Sequence, residues 1–215
     1  LALVNDLLDF HRLESHKMEF NIVPFNVSSL LNEIYLSFKP MADTKGLKFV
    51  IHEKNEEKDL LLEGDPIRIR QIISNLLSNA IKFTSKGSVV LGYEITNDSG
   101  KYILHCIVSD QGCGIPEADR NKLFNEFSRV SGSEGADGFG LGLAITHKLV
   151  MLMNGTLSFE SEVGKGSMFC VDIPLSATSV QEVNAVAADL STSKLSDSNP
   201  SLRCLLVDDD PIQLA

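Results

Sequence analysis

The sequence predicts an α/β protein, a two-layer sandwich with helices packed on a mixed, largely antiparallel sheet. Two observations carry that expectation. Short β-type runs at 19–25, 47–52, 88–96, 101–109, 155–161 and 167–173 alternate with helical patterns at 28–42, 65–83 and 141–153. The last strands are also close neighbours joined by Gly and Asn, which favours antiparallel pairing.

Four regions follow one another. Residues 1–17 read as the end of an amphipathic helix, with Leu3, Val4, Leu7, Leu8, Phe10 and Leu13 at near-helical spacing. One helix end cannot bury that stripe alone, so a partner helix is expected. Residues 18–176 hold the main domain. Residues 177–201 lack aromatics, are rich in Ser, Ala and Asp, and read as a flexible linker; a weak helix at 180–190 is the alternative. Order restarts at 202–215, where an apolar run from Leu202 to Val207 leads into Asp208, Asp209 and Asp210. The sequence reads as one complete domain between two truncated neighbours.

Composition narrows the class. The 215 residues are 43% hydrophobic and 22% charged, a globular balance. Acidic residues outnumber basic ones 29 to 19, for a net charge of −10, which argues against nucleic acid as a partner. No apolar run approaches the ~20 residues of a membrane helix. Cys106, Cys113, Cys170 and Cys204 form no CxxC pair, so neither a metal finger nor a disulfide scaffold is indicated, and a reducing compartment is expected.

Three stretches carry chemistry. In the helix at 65–83, Asp65 suits the N-cap and Pro66 the first helical position. Ile69, Ile72, Ile73, Leu76, Leu77 and Ala80 form an apolar stripe, and Arg68, Gln71, Asn75, Asn79 and Lys82 form a second, polar one. An asparagine oxygen can ligate Mg²⁺ and a lysine can bind phosphate, although a solvated face would look the same. Next, Asp110-Gln-Gly112-Cys-Gly114 follows a strand. A carboxylate there could accept a hydrogen bond from an exocyclic amine, or the run could be a plain turn. Third, Gly138-Phe-Gly140-Leu141-Gly142 opens the helix at 141–153, where backbone N–H groups could cradle an anion. It matches neither the Rossmann pattern, since position 143 is leucine, nor a P-loop. The small polar stretch from Ser128 to Asp137 reads as a mobile flap or an ordinary loop. Phe124 and Phe127, just before it, suit either a core or a cofactor contact.

Taken in order, these motifs resemble the ATP-binding domain of histidine kinases in the GHKL (Bergerat-fold) family. The matching boxes are Asn75–Thr84, Asp110–Gly114, Phe124–Phe127 and Gly138–Leu143, within residues 18–176. The resemblance implies ATP and Mg²⁺ as ligands. Asn79 would coordinate Mg²⁺; Asn75 and Lys82 would contact phosphates. Asp110 would bind the adenine amine between Gly112 and Gly114, and Phe83 would lie near the adenine. Gly138, Gly140, Leu141 and Gly142 would hold phosphates by their backbone, and Phe124 and Phe127 would brace the flap. Residues 1–17 resemble the end of a dimerisation and phosphoacceptor hairpin. Residues 202–215 resemble the start of a receiver domain, with Asp208 and Asp209 as its Mg²⁺ pair. The parent would be a homodimeric hybrid sensor kinase, with this part cytoplasmic and the whole membrane-anchored.

The reaction is constrained by position 75. Family ATPases carry a water-activating glutamate one turn before the Mg²⁺-binding asparagine, and here that residue is Asn75, which cannot accept a proton. Phosphoryl transfer to a separate histidine is therefore expected. Neither His11 nor His16 has the acceptor's sequence context; His52, His105 and His147 read as structural. No catalytic residue set is complete in this chain, so self-phosphorylation is not expected. The other functional readings are a nucleotide-responsive interaction module without catalysis and a GHKL ATPase.

Overall fold

A computed structural model describes residue 13 and residues 18–54, 60–128 and 140–178. The expected hairpin end (Leu13 apart), His11, His16, Gly138, nearly all of the flap, the linker beyond Thr178, and Asp208 and Asp209 lie outside the described residues.

The described elements run β1 (Val23–Asn26), α1 (Val27–Thr44), β2 (Lys48–Glu53), β3 (Leu61–Gly64), α2 (Pro66–Phe83), β4 (Ser88–Asp98), β5 (Lys101–Asp110), α3 (Glu117–Arg120), α4 (Gly142–Leu152), β6 (Thr156–Glu162) and β7 (Gly166–Ala177). The strands lie in the order β1-β3-β7-β5-β4-β2, with β6 also paired to β7. The β2–β4 pair is parallel and every other pairing is antiparallel, in agreement with the expected mixed sheet. Alternation along the strands explains why the sheet has one core face. Val89, Leu91 and Tyr93 of β4, Leu104, Cys106 and Val108 of β5, and Phe169, Val171, Ile173 and Leu175 of β7 are buried. Leu13 belongs to the same core.

The other sheet face is polar where four strands meet. His105 Nδ1 lies 2.7 Å from Asp172 Oδ1 and Nε2 lies 2.8 Å from Thr96 Oγ1. The Thr156 hydroxyl donates to Asp172 Oδ2 at 3.0 Å. The row links β4, β5, β7 and β6, a structural place for His105 as its strand pattern suggested.

Some boundaries differ from the sequence expectation. The first strand occupies Val23–Asn26 instead of 19–25. Strand β3 and the single-turn α3 were not predicted, because four residues are too few to establish a period. β7 also continues through Ala177, placed by sequence at the start of the linker. Leu62 and Glu63 of β3 pair with Ala177 and Ser176, and the Thr178 hydroxyl donates to Leu61 O at 2.9 Å. A partner strand far away in sequence extends β7 where its own composition had faded.

Helix α2 packs between α1 and α4 and against β4 and β5. Its start is fixed by Asp65, which is 2% exposed. Asp65 Oδ1 accepts from the N–H groups of Ile67 and Arg68, both at 3.0 Å, and Oδ2 accepts from Asn21 N at 3.0 Å. Its end is capped twice. The Thr84 hydroxyl donates to Ala80 O at 2.7 Å, and Lys45 Nζ donates to the carbonyls of Ile81 and Lys82 at 2.8 and 2.9 Å. A cation on the last carbonyls complements the helix dipole.

Asp65→Ala removes a cap and orphans the donors it served. Its expected cost is about 2 kcal/mol, from a lost N-cap and an unsatisfied backbone group. Urea denaturation of the chain should show the midpoint falling with the slope unchanged.

Candidate functional site

The polar stripe of α2 is partly covered by the rest of the fold. Arg68, Gln71, Asn75, Asn79 and Lys82 are all half-buried. Arg68 Nη1 donates to Gln71 Oε1 at 2.8 Å. Asn75 Nδ2 donates to Gly142 O at 2.8 Å and to the buried Thr146 hydroxyl at 3.2 Å. Asn75 thus ties α2 to the first turn of α4. Gly142 permits that approach: a Cβ there would lie 2.9 Å from Asn75 Oδ1. The Lys82 ammonium stands 4.9 Å from the centroid of the Phe83 ring.

The Asp110–Gly114 loop meets the C-terminal end of α2. Cys113 N donates to Phe83 O at 3.4 Å, and a Cβ on Gly112 would come within 2.6 Å of the same oxygen. Gly114 has φ +70°, and its Cβ would fall 2.1 Å from Glu162 O, so only glycine is accommodated. At the loop's start, Asp110 Oδ1 accepts from Gly112 N at 2.8 Å and Ser167 N at 3.3 Å. Among the described residues both bonds fall on Oδ1, leaving Oδ2 as an acceptor. Burial raises the Asp110 pKa above the ordinary carboxylate value, and the two backbone hydrogen bonds oppose that rise. A desolvated carboxylate with one oxygen held and one spare is a suitable acceptor for an amine.

Ser128 and Gly140, on either side of the undescribed part of the flap, lie close together. Gly140 has φ +74°, and a Cβ on it would lie 2.5 Å from Ser128 O. The segment before the flap docks on α4. Phe124 stacks on His147 at 5.0 Å between centroids and meets Phe159 edge-on at 5.7 Å. Lys148 Nζ donates to Glu126 Oε1 at 2.9 Å. Phe127 behaves differently from Phe124. It has φ +56° and is 60% exposed, so the two phenylalanines do not form one core pair. Leu141, at the N-cap of α4, is 1% exposed, and its side chain belongs to the core.

The fold therefore gathers Asn75, Asn79, Lys82 and Phe83 on α2, Gly140, Leu141 and Gly142 at α4, and Asp110, Gly112 and Gly114 beside the end of α2. Sequence reasoning missed two groups at this site, Ser161 and Ser167, which hold the Asp110 loop from β6 and β7. Serines in alternating strands carry no periodic signal of their own. No group of three or more His, Cys, Asp or Glu that could hold a metal occurs among the described residues. No helix of the described residues is long and apolar enough to cross a membrane.

These features coincide with a known class. Residues 64–177 match the family model for histidine kinase-, DNA gyrase B- and HSP90-like ATPases, and the chain belongs to that family. The signal transduction histidine-protein kinase BarA of Escherichia coli (strain K12) is 39% identical over 178 residues, covering 81% of this chain and 19% of BarA. The virulence sensor protein BvgS of Bordetella bronchiseptica is 38% identical over 214 residues, covering 97% of this chain and 17% of BvgS. The chain spans about a fifth of the length of these curated relatives. Among solved structures, full-length ShkA in complex with AMPPNP superposes with a TM-score of 0.72 at 31% identity, over 83% of this chain and 36% of that one. The catalytic domain of the histidine kinase ThkA gives 0.58 at 29% identity, over 72% of this chain and 96% of that one.

Two glycines separate backbone strain from steric overlap. Gly46 has φ +68° with open space around its Cβ position, whereas Gly114 has φ +70° with a carbonyl in the way. Gly46→Ala should cost about 1 kcal/mol, the left-handed penalty alone. Gly114→Ala should cost at least about 1 kcal/mol more, because the β6–β7 turn must move. Parallel thermal melts of both variants read the difference.

Proposed function

We propose that this domain binds Mg·ATP and catalyses transfer of the γ-phosphoryl group to a histidine on a separate helical hairpin. The observation that carries the reading is Asp110: a desolvated carboxylate with Oδ1 fixed by two backbone donors and, among the described residues, no hydrogen bond on Oδ2, beside glycines whose added Cβ atoms would obstruct the loop. Such a group accepts the exocyclic amine of adenine and disfavours guanine, which presents an oxygen at that position. Lys82 supplies positive charge on the same α2 face, and the α4 N-terminus supplies N–H donors. Asn79 offers an amide oxygen to Mg²⁺, which would neutralise phosphate charge. Asn75 has an amide in place of a carboxylate and donates to Gly142 and Thr146. It cannot take a proton from water, which favours transfer to another nucleophile over hydrolysis.

The chain's residues act by position and charge. Asp110 orients the base, Lys82 and the α4 backbone hold the phosphates, and Asn75 keeps α4 in register with α2. The similarity to BarA and BvgS supports a larger parent. We assign residues 1–17 to the end of a dimerisation hairpin, 177–201 to a linker and 202–215 to the start of a receiver domain with Asp208 and Asp209 as its acidic pair. The parent would be a homodimeric hybrid kinase whose membrane anchor lies elsewhere in the protein.

Two tests follow. The chain, mixed with a hairpin carrying an acceptor histidine and with γ-labelled ATP, should label the hairpin and not itself. ATP bound without hairpin labelling would overturn the transfer reading, and steady ADP release without an acceptor would point to hydrolysis.

Asp110→Asn tests the adenine contact and carries a signed pH effect. A carboxyl whose folded-state pKa is raised favours folding at low pH and loses that contribution as pH rises through the folded value. The ionised Asp110 therefore opposes folding at neutral pH. Asparagine keeps an oxygen for Gly112 and Ser167 but can turn an NH₂ toward the adenine amine. Calorimetric melts should find the variant at least as stable as the parent at pH 7. Titration with ATP should find affinity lower by about 10- to 100-fold, the loss of one charged hydrogen bond.

A further inference from the structure

The Ser161 hydroxyl on β6 is fully engaged. Its oxygen accepts from Ile115 N at 2.8 Å, its O–H donates to Gly166 O at 3.0 Å, and it lies 3.0 Å from Ser167 Oγ. A serine hydroxyl has one hydrogen and two lone pairs. With its hydrogen on the Gly166 carbonyl, the Ser167 contact must be donated by Ser167, and all three sites are then used.

Each partner leads to the Asp110 loop. Ile115 follows Gly114 and is 7% exposed. Gly166 lies against the Asp110 backbone, where an added Cβ would meet Asp110 O at 2.0 Å. Ser167 is the β7 residue paired with Asp110, and its N–H donates to Asp110 Oδ1 at 3.3 Å. One hydroxyl thus reaches the far side of the loop through Ile115 and its near side through Gly166 and Ser167. Two further bonds brace this region: Gly164 N in the turn donates to Cys113 O in the loop at 2.8 Å, and Arg120 Nη2 on α3 donates to Ser161 O on β6 at 2.5 Å. Strand pairing already sets Ser161 beside Ser167 and Ser167 beside Asp110, but among these ties only the hydroxyl also holds Ile115 N on the far side of the loop.

We propose that Ser161 is a positioning residue for purine selectivity: its hydroxyl clamps both sides of the Asp110–Gly114 loop and so fixes the direction in which the Asp110 carboxylate meets the base. This rests on the nucleotide reading above. Ser161 touches no ligand; it acts through Ser167 and Gly166.

The test is a titration of the whole chain with Mg·ATP, Mg·ADP and Mg·GTP, well below the melting temperature. Ser161→Ala should weaken ATP and ADP equally, by about 10-fold, and lower the ATP-to-GTP preference by a similar factor, the scale of one net hydrogen bond. Equal loss for ATP and ADP marks the base end of the site. Ser161→Thr keeps the hydroxyl and should restore the preference. Ser158→Ala, an exposed position on the same strand, should match the parent. Should the alanine variant fail to fold, Ser161→Cys, with a weaker donor of similar size, should show the same change at smaller amplitude. A folded alanine or cysteine variant with the parent's ATP-to-GTP ratio would overturn the proposal and leave the nucleotide reading standing. A threonine variant as unselective as alanine would also overturn it. A parent chain that binds neither ATP nor ADP would remove the nucleotide reading itself, and this inference with it.

Discussion

The burial of one face of α2 is the constraint on which the rest depends. Ile69, Ile72, Ile73, Leu76, Leu77, Ala80 and Ile81 are buried in the core. That seating fixes the helix's rotation, and at 100° per residue it also fixes where every polar residue points. The polar stripe is partly covered, because α4 packs on the helix and the Asp110 loop meets its last carbonyls. The helix is therefore a core element and a binding wall at once. Its ends are held accordingly, by buried Asp65 at the start and by Thr84 and Lys45 at the finish. A helix free to slide by one residue would rotate Asn75 away from Gly142.

The second support is the turn between β6 and β7. The Asp110 loop makes few hydrogen bonds of its own and takes its shape from neighbours: Phe83 on one side, Glu162, Gly164 and Gly166 on the other. Glycines are needed because backbone from three elements converges with no room for a side chain. The arrangement carries an electrostatic cost. A carboxylate withdrawn from water is held by two backbone donors that only partly offset its burial. Strain of that kind is typical of sites where affinity is set by preorganisation.

Much of the fold was legible because it is periodic. The α2 and α4 patterns, the alternation of β4, β5 and β7 and the short connection between the last two strands gave layers and pairing. β3 was not legible, since four residues carry no period and its partner in β7 is more than a hundred positions away. The candidate site was legible as motifs with distinct residue types: Asn75, Asn79 and Lys82 on one face, Asp110 with two glycines, and glycines at a helix start. Its supports were not. Ser161 and Ser167 are ordinary strand serines whose contacts, Ser161 with Ile115 N and Ser167 with Asp110, exist only once β5, β6 and β7 have paired. Asn75 shows the same limit, because its residue type gave its chemistry but its donors were assigned by the neighbour that α4 places against it.

By itself the sequence determined the longer secondary elements, the apolar faces, the absence of a carboxylate base at position 75 and the motif order that marks the family, since these depend on residue type and spacing along the chain. Tertiary structure alone decided which face of α2 is walled in, that Phe124 packs while Phe127 stays exposed, and that a single hydroxyl on β6 reaches both sides of the Asp110 loop. Those outcomes depend on distances between residues far apart in sequence, and such distances exist only once the helices and the sheet have closed on a common core.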